Sequence, residues 1–459
     1  MSCTCSARNI LSPTPNTVFL ACFHPYVSRN IYATPFLDAL RAQPLRLILL
    51  VPEYKLAFFK ERFERDSVEV VGVPTGIASR TRTGVLLKRF AELAHVSVTN
   101  TVKYRLKYHH ERKLKYLVAA LVIGFVGRSF LVRSLVRRIG LAAAPRHVFE
   151  PLFKTYNPSL VFGTDVFNEN DVNLMQVAKL RGVRTVGFVR SWDNPSKYLL
   201  RVFPDRILAG SAVLAAEIAD FQGYPKENVT VVGNPHYDRY GKGATETREV
   251  FCARFGLNPA EPFVLFCPVG DDLIHFNDFD PYIAQLLAQT GRQVLVRLPP
   301  ASAVRMEGFA GADNVVLDRP GVVFNKTQFG DREITLEEDE RLINSLVHAA
   351  VVVTGPTSLL LDAPFFDRPL IAADLYPTPR NRLDAIYEYG YYHILKYFSQ
   401  APGALLVKSP EALTAAIDTL VADPSVGAKG RAQVRALWFS HDDGHASERL
   451  ANEILRGLV

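Results

Sequence analysis

Residues 352–362 read Val352-Val353-Thr354-Gly355-Pro356-Thr357-Ser358-Leu359-Leu360-Leu361-Asp362. A β-branched apolar run meets a small-residue turn and then a stretch of helix formers. Such a run suits a strand covered on both faces, and the turn leads into a crossover helix. The same unit recurs along the chain. Val18–Phe23, Leu45–Val51, Val68–Val73, Leu160–Phe162, Thr185–Val189, Arg206–Ala209 and Val229–Val232 read as a first set of buried strands. After Gly241-Lys242-Gly243-Ala244 the pattern restarts with Pro262–Cys267, Gln293–Arg297, Asn314–Leu317, Ala350–Thr354 and Pro369–Ala373. Helical spacing fills the gaps, as in Tyr32–Arg41, Asn170–Arg181 and Ser211–Gln222. Strand–helix alternation implies right-handed crossovers and parallel sheets.

The expected architecture is α/β, with two doubly wound, Rossmann-like domains at 1–243 and 244–459 facing a cleft. The final helix is expected to pack back on the first domain. A chain of 459 residues exceeds what one core normally serves, near ~250–300 residues, which agrees with two domains. With 48% hydrophobic and 22% charged residues it is neither disordered nor a disulfide scaffold. Five cysteines without a C-x-x-C pair, and an N-terminus lacking a continuous apolar stretch, lead us to expect a cytoplasmic setting, peripheral to the membrane.

The formal charge of +7 is unevenly placed. Residues 101–140 carry ten Lys and Arg against the single acid Glu111, so the remainder of the chain sums to −2. This basic segment encloses the apolar run Leu117–Val126. It reads either as an amphipathic insertion lying on an anionic membrane or as a helical hairpin packed on its own sheet. The basic residues match no nucleic-acid module, so nucleic acid is not expected as a partner.

Polar loops at the carboxyl ends of parallel strands are where doubly wound domains place reactive groups. Arg190-Ser191-Trp192-Asp193-Asn194-Pro195 follows one strand. Asp193 there suits a general base, Trp192 a stacking surface and Asn194 a cleft contact; the alternative is a turn in which Asp193 and Asn194 satisfy backbone N–H groups. Gly233-Asn234-Pro235-His236-Tyr237-Asp238 follows another, with His236 and Asp238 as cleft contacts or hinge formers. The turn after Thr354 offers Thr357 and Ser358 either to a diphosphate or as simple helix N-caps, and Asp362 falls one helical turn beyond Ser358. Arg297, ending its strand, is a candidate phosphate neutraliser. In His441-Asp442-Asp443-Gly444-His445-Ala446-Ser447-Glu448-Arg449, Ser447 is either a cleft contact or part of a helix cap. No G-x-x-x-x-G-K-[ST], G-x-G-x-x-G, H-E-x-x-H or G-x-S-x-G pattern occurs, and no metal site or cofactor is expected.

Taken in this order, the segments from about residue 150 onward resemble bacterial glycosyltransferases of the GT-B architecture. The nearest group is that of the CDP-glycerol glycerophosphotransferase-like and surface-polysaccharide glycosyltransferases. Gly233 to Asp238 is similar to its G-x-P-x-x-D loop, and Thr357-Ser358 with Asp362 to its S-S-x-x-x-D element. Asp443-Gly444-x-Ala446-Ser447-x-Arg449 is similar to its D-G-x-A-S-x-R signature, and Arg190 to Asn194 to the R/G-S-W-D-N loop of related sugar transferases. The chain departs from the glycerophosphotransferases in three places. Trp192-Asp193-Asn194 replaces a His-Gly pair, Pro299 replaces the His of an R-x-H-P element, and Gly355 stands where an Asp usually precedes the Ser pair. The resemblance therefore implies a nucleotide-sugar donor rather than CDP-glycerol, an inverting metal-independent transfer with Asp193 as base, and a lipid-linked or glycan acceptor. The rivals are a nucleotide-sugar 2-epimerase, which needs acids and His gathered in the cleft, and a non-catalytic glycan-binding homologue.

Overall fold

The computed structural model describes residues 15–76, 82–108, 113–271, 277–300, 303–324, 332–380 and 403–458. Seven strands form the first sheet: β1 (Asn16–Ala21), β2 (Leu45–Pro52), β3 (Val68–Val73), β4 (Leu160–Gly163), β5 (Arg184–Phe188), β6 (Arg206–Ala209) and β7 (Val229–Val231). All pair in parallel, in the order β3-β2-β1-β4-β5-β6-β7. Alternate residues of β1 feed opposite faces. Val18 and Leu20 enter one core, Phe19 and Ala21 the other. Burial on both faces explains why these strands read as unbroken apolar runs rather than alternating ones.

The second sheet holds β8 (Phe263–Cys267), β9 (Gln293–Arg297), β10 (Val315–Asp318), β13 (Val351–Thr354), β14 (Leu370–Ala373) and β15 (Leu405–Val407). Its order is β10-β9-β8-β13-β14-β15, again parallel. A short antiparallel hairpin, β11 (Val322–Val323) with β12 (Arg332–Glu333), stands apart. Strand order reverses between β1 and β4 in one sheet and between β8 and β13 in the other. Ligands of doubly wound sheets bind at such points.

The chain passes between the sheets twice. It leaves the first after β7, and it returns with the helix Ala446–Arg456, which buries Leu450, Ala451 and Ile454 in a first-sheet core. The dock is specific. Asp238 accepts from the amides of Ala446 (2.9 Å) and Ser447 (2.8 Å), and Arg449 donates to the Val232 carbonyl at 2.9 Å. Gly233, at φ 85°, must be glycine here, since a Cβ would stand 2.9 Å from that of Ala446.

Between β3 and β4 lie, among the described residues, five helices: Arg82–Leu93, Val98–Tyr108, Lys113–Val126, Phe130–Ala142 and Phe149–Tyr156. Residues 109–112 of the basic segment fall outside the described residues. Arg133 donates to the Phe221 carbonyl (2.8 Å), and Arg137 to those of Leu200 (2.8 Å) and Gln222 (2.9 Å). Burial, with Arg133 alongside, lowers Arg137 to about 10. Two of the segment's charges thus pin the helix Phe130–Ala142 to the body. Its apolar run does not cover the sheet: Leu117, Val118, Leu121 and Phe125 are exposed. No single described helix is long and apolar enough to cross a membrane, and the pair Leu114–Val126 and Phe130–Ala142 is bent by 100°.

Candidate functional site between the two sheets

A cavity of about 760 Å³ opens between the domains. Its walls are the loops that follow β1, β4, β5, β6 and β7 on one side and β8, β9 and β13 on the other. Each strand delivers its loop to the same place because all strands in both sheets run in parallel. The volume lies in the usual range for small-molecule sites, about 300–1,000 Å³.

Trp192, Asp193, Asn194, His236, Arg297, Thr357, Ser358 and Asp362 all line this cavity. Asp193 is buried, pairs with Lys197 and accepts from the Ser191 hydroxyl at 2.6 Å. Asn194 starts the next helical turn and reaches Asp165, which also receives Arg190 Nε at 2.7 Å. Trp192 crosses the gap and packs on the core of the second domain.

On the other side the turn after β13 is tightly wound. The Thr357 hydroxyl lies 2.9 Å from that of Thr354 and accepts from the Leu359 amide. The Leu360 and Leu361 amides are taken by Thr357 and Ser358 carbonyls, so few N–H groups remain to hold a phosphate. The helix itself, Leu359–Phe365, is only seven residues long. Ser358 is the exposed member of the pair. Gly355 cannot be an aspartate in this chain, because a Cβ would come 2.3 Å from Val269 Cγ2.

Arg297 is not a free cation. It is buried, paired with Asp318, and donates to the Glu338 carbonyl at 2.8 Å, and burial lowers its pKa. Asp318 also takes Arg341 at 3.1 Å. Its charge is thus already matched by Asp318, which weakens what Arg297 adds at a phosphate.

The two domains share buried charge at the back of the cleft. Asp339 receives His236 Nε2 at 2.8 Å, Arg239 at 3.3 Å and Arg29 at 3.4 Å. Burial pushes Asp339 upward, but these partners pull it well below the usual carboxylate range. His236 thus serves as an interdomain tie, and burial lowers its pKa despite Asp339. Asp362 has the opposite balance. Burial raises it to about 6, against the pull of Arg29 and a 3.1 Å hydrogen bond from Tyr237. A second tie joins Lys55 to Glu333 at 2.9 Å, with the Ser28 hydroxyl on the same carboxylate at 2.5 Å.

Asp238 and Ser447 lie away from the cavity. They form the cap that docks the last helix, with the Ser447 hydroxyl on Thr34 at 3.2 Å. The two motifs holding them, separated by about 200 residues, are therefore two halves of one joint.

Sequence reasoning passed over His24, Asp165 and Glu92, which also line the cavity. His24 begins a His-Pro pair directly after β1, the same strand-end signal used for Asp193. Burial, with Arg190 and Lys55 near, pushes His24 well below its ordinary value, so the ring is neutral. Its Nδ1 accepts from the Tyr26 amide at 3.2 Å, which leaves Nε2–H as a donor. Asp165 and Glu92 carry no motif, and only the fold brings them in. Among the described residues no three His, Cys, Asp or Glu side chains converge on a common point.

No family model and no curated protein matches the chain. Solved structures do. A UDP-GlcNAc 2-epimerase from Neisseria meningitidis bound to UDP-GlcNAc is similar at TM-score 0.55 and 11% identity, over 96% of this chain and 100% of that one. The glycosyltransferase of kitacinnamycin is similar at TM-score 0.50 and 14% identity, over 97% and 100%. The fold is GT-B. A UDP-N-acetylglucosamine 2-epimerase from Rickettsia bellii is similar at TM-score 0.53 and 10% identity, over 97% of each chain. At these identities the likeness is one of fold. GT-B chains of both kinds place two Rossmann-like sheets around a cleft, as this one does.

Proposed function

We propose that the chain is an inverting, metal-independent GT-B glycosyltransferase. It moves a sugar from a nucleotide-activated donor to a lipid-linked or glycan acceptor in cell-surface polysaccharide or glycolipid assembly. The observation that carries this reading is a cavity fed by the carboxyl ends of both sheets, with Asp193 on the first and the Thr357-Ser358 turn on the second. In that arrangement the acceptor oxygen attacks the anomeric carbon from the face opposite the departing nucleoside diphosphate. Asp193 takes the hydroxyl proton, and the C–O bond to the diphosphate breaks as the new one forms. His24 Nε2–H and Ser358, which line the cavity, donate to substrate oxygens in this reading. Enclosure of the cleft keeps water from the activated donor.

A second reading has gained support. The losses of family His residues spoke against a nucleotide-sugar 2-epimerase, yet the cavity gathers His24, Glu92, Asp165, Asp193 and Asp362. Acids and an imidazole thus do reach the cleft, although Asp165 and Asp193 are ion-paired with Arg190 and Lys197. One experiment separates the two. The protein is screened for stabilisation by UDP, CDP, GDP and TDP, and the sugar form of the stabilising nucleotide is incubated with and without a lipid-linked acceptor. Transfer that requires acceptor and is lost in Asp193→Asn supports the transferase. Free epimerised sugar without acceptor supports the epimerase. Binding with no turnover sinks both and favours a glycan-binding homologue.

A further inference from the structure

Twelve of the twenty-one large hydrophobic side chains that stand exposed among the described residues fall within residues 82–142. Leu114, Leu121, Phe125 and Leu131 are each more than 60% exposed, and Phe125 reaches 80%. Soluble monomers rarely show so dense an apolar face without something to cover it. The charge of the same surface says what covers it. From residue 112 to residue 149 there is no Asp or Glu, while Lys115, Arg128 and Arg138 stand exposed among the apolar residues.

We propose that the helices Lys113–Val126 and Phe130–Ala142 form a monotopic docking face that lies in the headgroup layer of an anionic lipid bilayer. Fourteen residues make a helix of about 21 Å, short of the ~30 Å hydrocarbon core, and the 100° bend prevents the pair from acting as one span. The helices therefore lie in the plane, with their apolar side chains at the acyl boundary and the cations among the headgroups. A protein partner or a second copy would more naturally bring acids on to one side or the other of such a contact.

The face is wired to the cleft. Helix Arg82–Leu93 exposes Leu86 and Phe90 but turns Lys88, Ala91 and Glu92 into the cavity. Ala91 and Leu199, both cavity-lining, share a small core with Val136 of the docking pair. Resting on the transferase reading, this assigns the acceptor's chemical class: an amphiphile whose anchor stays in the bilayer while its head enters beside Lys88.

The test uses the full chain with vesicles of phosphatidylcholine alone or mixed with phosphatidylglycerol, read by flotation. Wild-type protein should float with the mixed vesicles. The triple change Leu121→Glu, Phe125→Glu and Leu131→Glu should cut partitioning about tenfold or more on any vesicle. Lys115→Glu with Arg128→Glu and Arg138→Glu should cut it similarly on mixed vesicles only. All six positions are exposed, so nucleotide-induced melting shifts should stay at the wild-type value and report an intact fold. Wild-type protein that stays with the soluble fraction, or an apolar triple variant that floats as well as wild type, overturns the proposal. So does a wild-type dimer in lipid-free solution that the apolar changes dissociate. Absence of any nucleotide shift in wild type would strike the transferase reading alone and leave the flotation result standing.

Discussion

The last helix, Ala446–Arg456, and the pair Lys113–Val126 and Phe130–Ala142 both attach to the first domain, and they treat their apolar side chains in opposite ways. Leu450, Ala451 and Ile454 are 0–2% exposed, whereas Leu121, Phe125 and Leu131 are 61–80% exposed. The last helix is capped by a carboxylate from across the joint and held by a guanidinium on a carbonyl. The pair is held through its second helix, by Arg133 and Arg137 on carbonyls and by a few inward apolar contacts such as Val136, while most of its large apolar side chains stay outside. Attachment and burial are thus separable. A helix fixed to a body by arginines is free to keep its greasy side for something else.

Breaking the covered joint should have the largest effect. Leu450→Ala removes buried methyl groups at 0% exposure and should cost about 2–5 kcal/mol in denaturant unfolding. Between the covered joint and the bare face lies the cleft, where charge is matched unequally. Asp362 is raised to about 6 in the folded chain, so folding there favours the protonated form. Its unfavourable contribution is absent near pH 4 and complete above about pH 6. Asp362→Asn should therefore leave stability unchanged near pH 4 and raise it by about 2–3 kcal/mol at pH 7, measured as Tm against pH. Asp339 works in the other sense, since its partners stabilise the charged form and that contribution fades as pH falls.

Removing the cap is a smaller break. Asp238→Ala strands the amides of Ala446 and Ser447 and should cost about 1–3 kcal/mol, with donor binding preserved because the side chain lies outside the cavity. Smallest of all is the matching change on the bare face. Leu121→Ala should alter stability in lipid-free buffer by less than about 0.5 kcal/mol. A loss comparable to that of Leu450→Ala would mean the face is covered by the chain itself.

Much of the fold was legible because a strand buried on both faces is a short apolar run with turn residues at its ends. Val68–Val73, Arg206–Ala209 and Gln293–Arg297 match the observed strands residue for residue. Leu405–Val407 and the hairpin β11–β12 went unread, being two or three residues long with partly exposed side chains. The strand-end rule put Asp193, Asn194, Ser358 and Asp362 on loops that line the cavity, since position along the chain decides which end of a strand a loop leaves. The same rule reaches His24, which follows β1 and lines the cavity. What no local pattern contains is pairing across distance. Arg297 looked free because Asp318 and Glu338 are distant in sequence, and Asp238 looked like a cleft residue because its true partner is the amide of residue 446. The exposed face was half legible: composition marked the segment as basic and apolar, but only the positions of Arg133 and Arg137 decide which side faces out.

The return of the last helix also changes what the segment 241–247 does. In a molecule whose halves met only there, a protease cut would set two independent bodies adrift. Here the second half keeps a plug seated in the first, held by Asp238 on its amides and by its own Arg449 on the Val232 carbonyl. A nicked chain should stay a one-to-one assembly, and the halves made separately are natural fragments for complementation. The linker is then a convenience of synthesis, and the lasting hinge is the non-covalent joint at the other crossing.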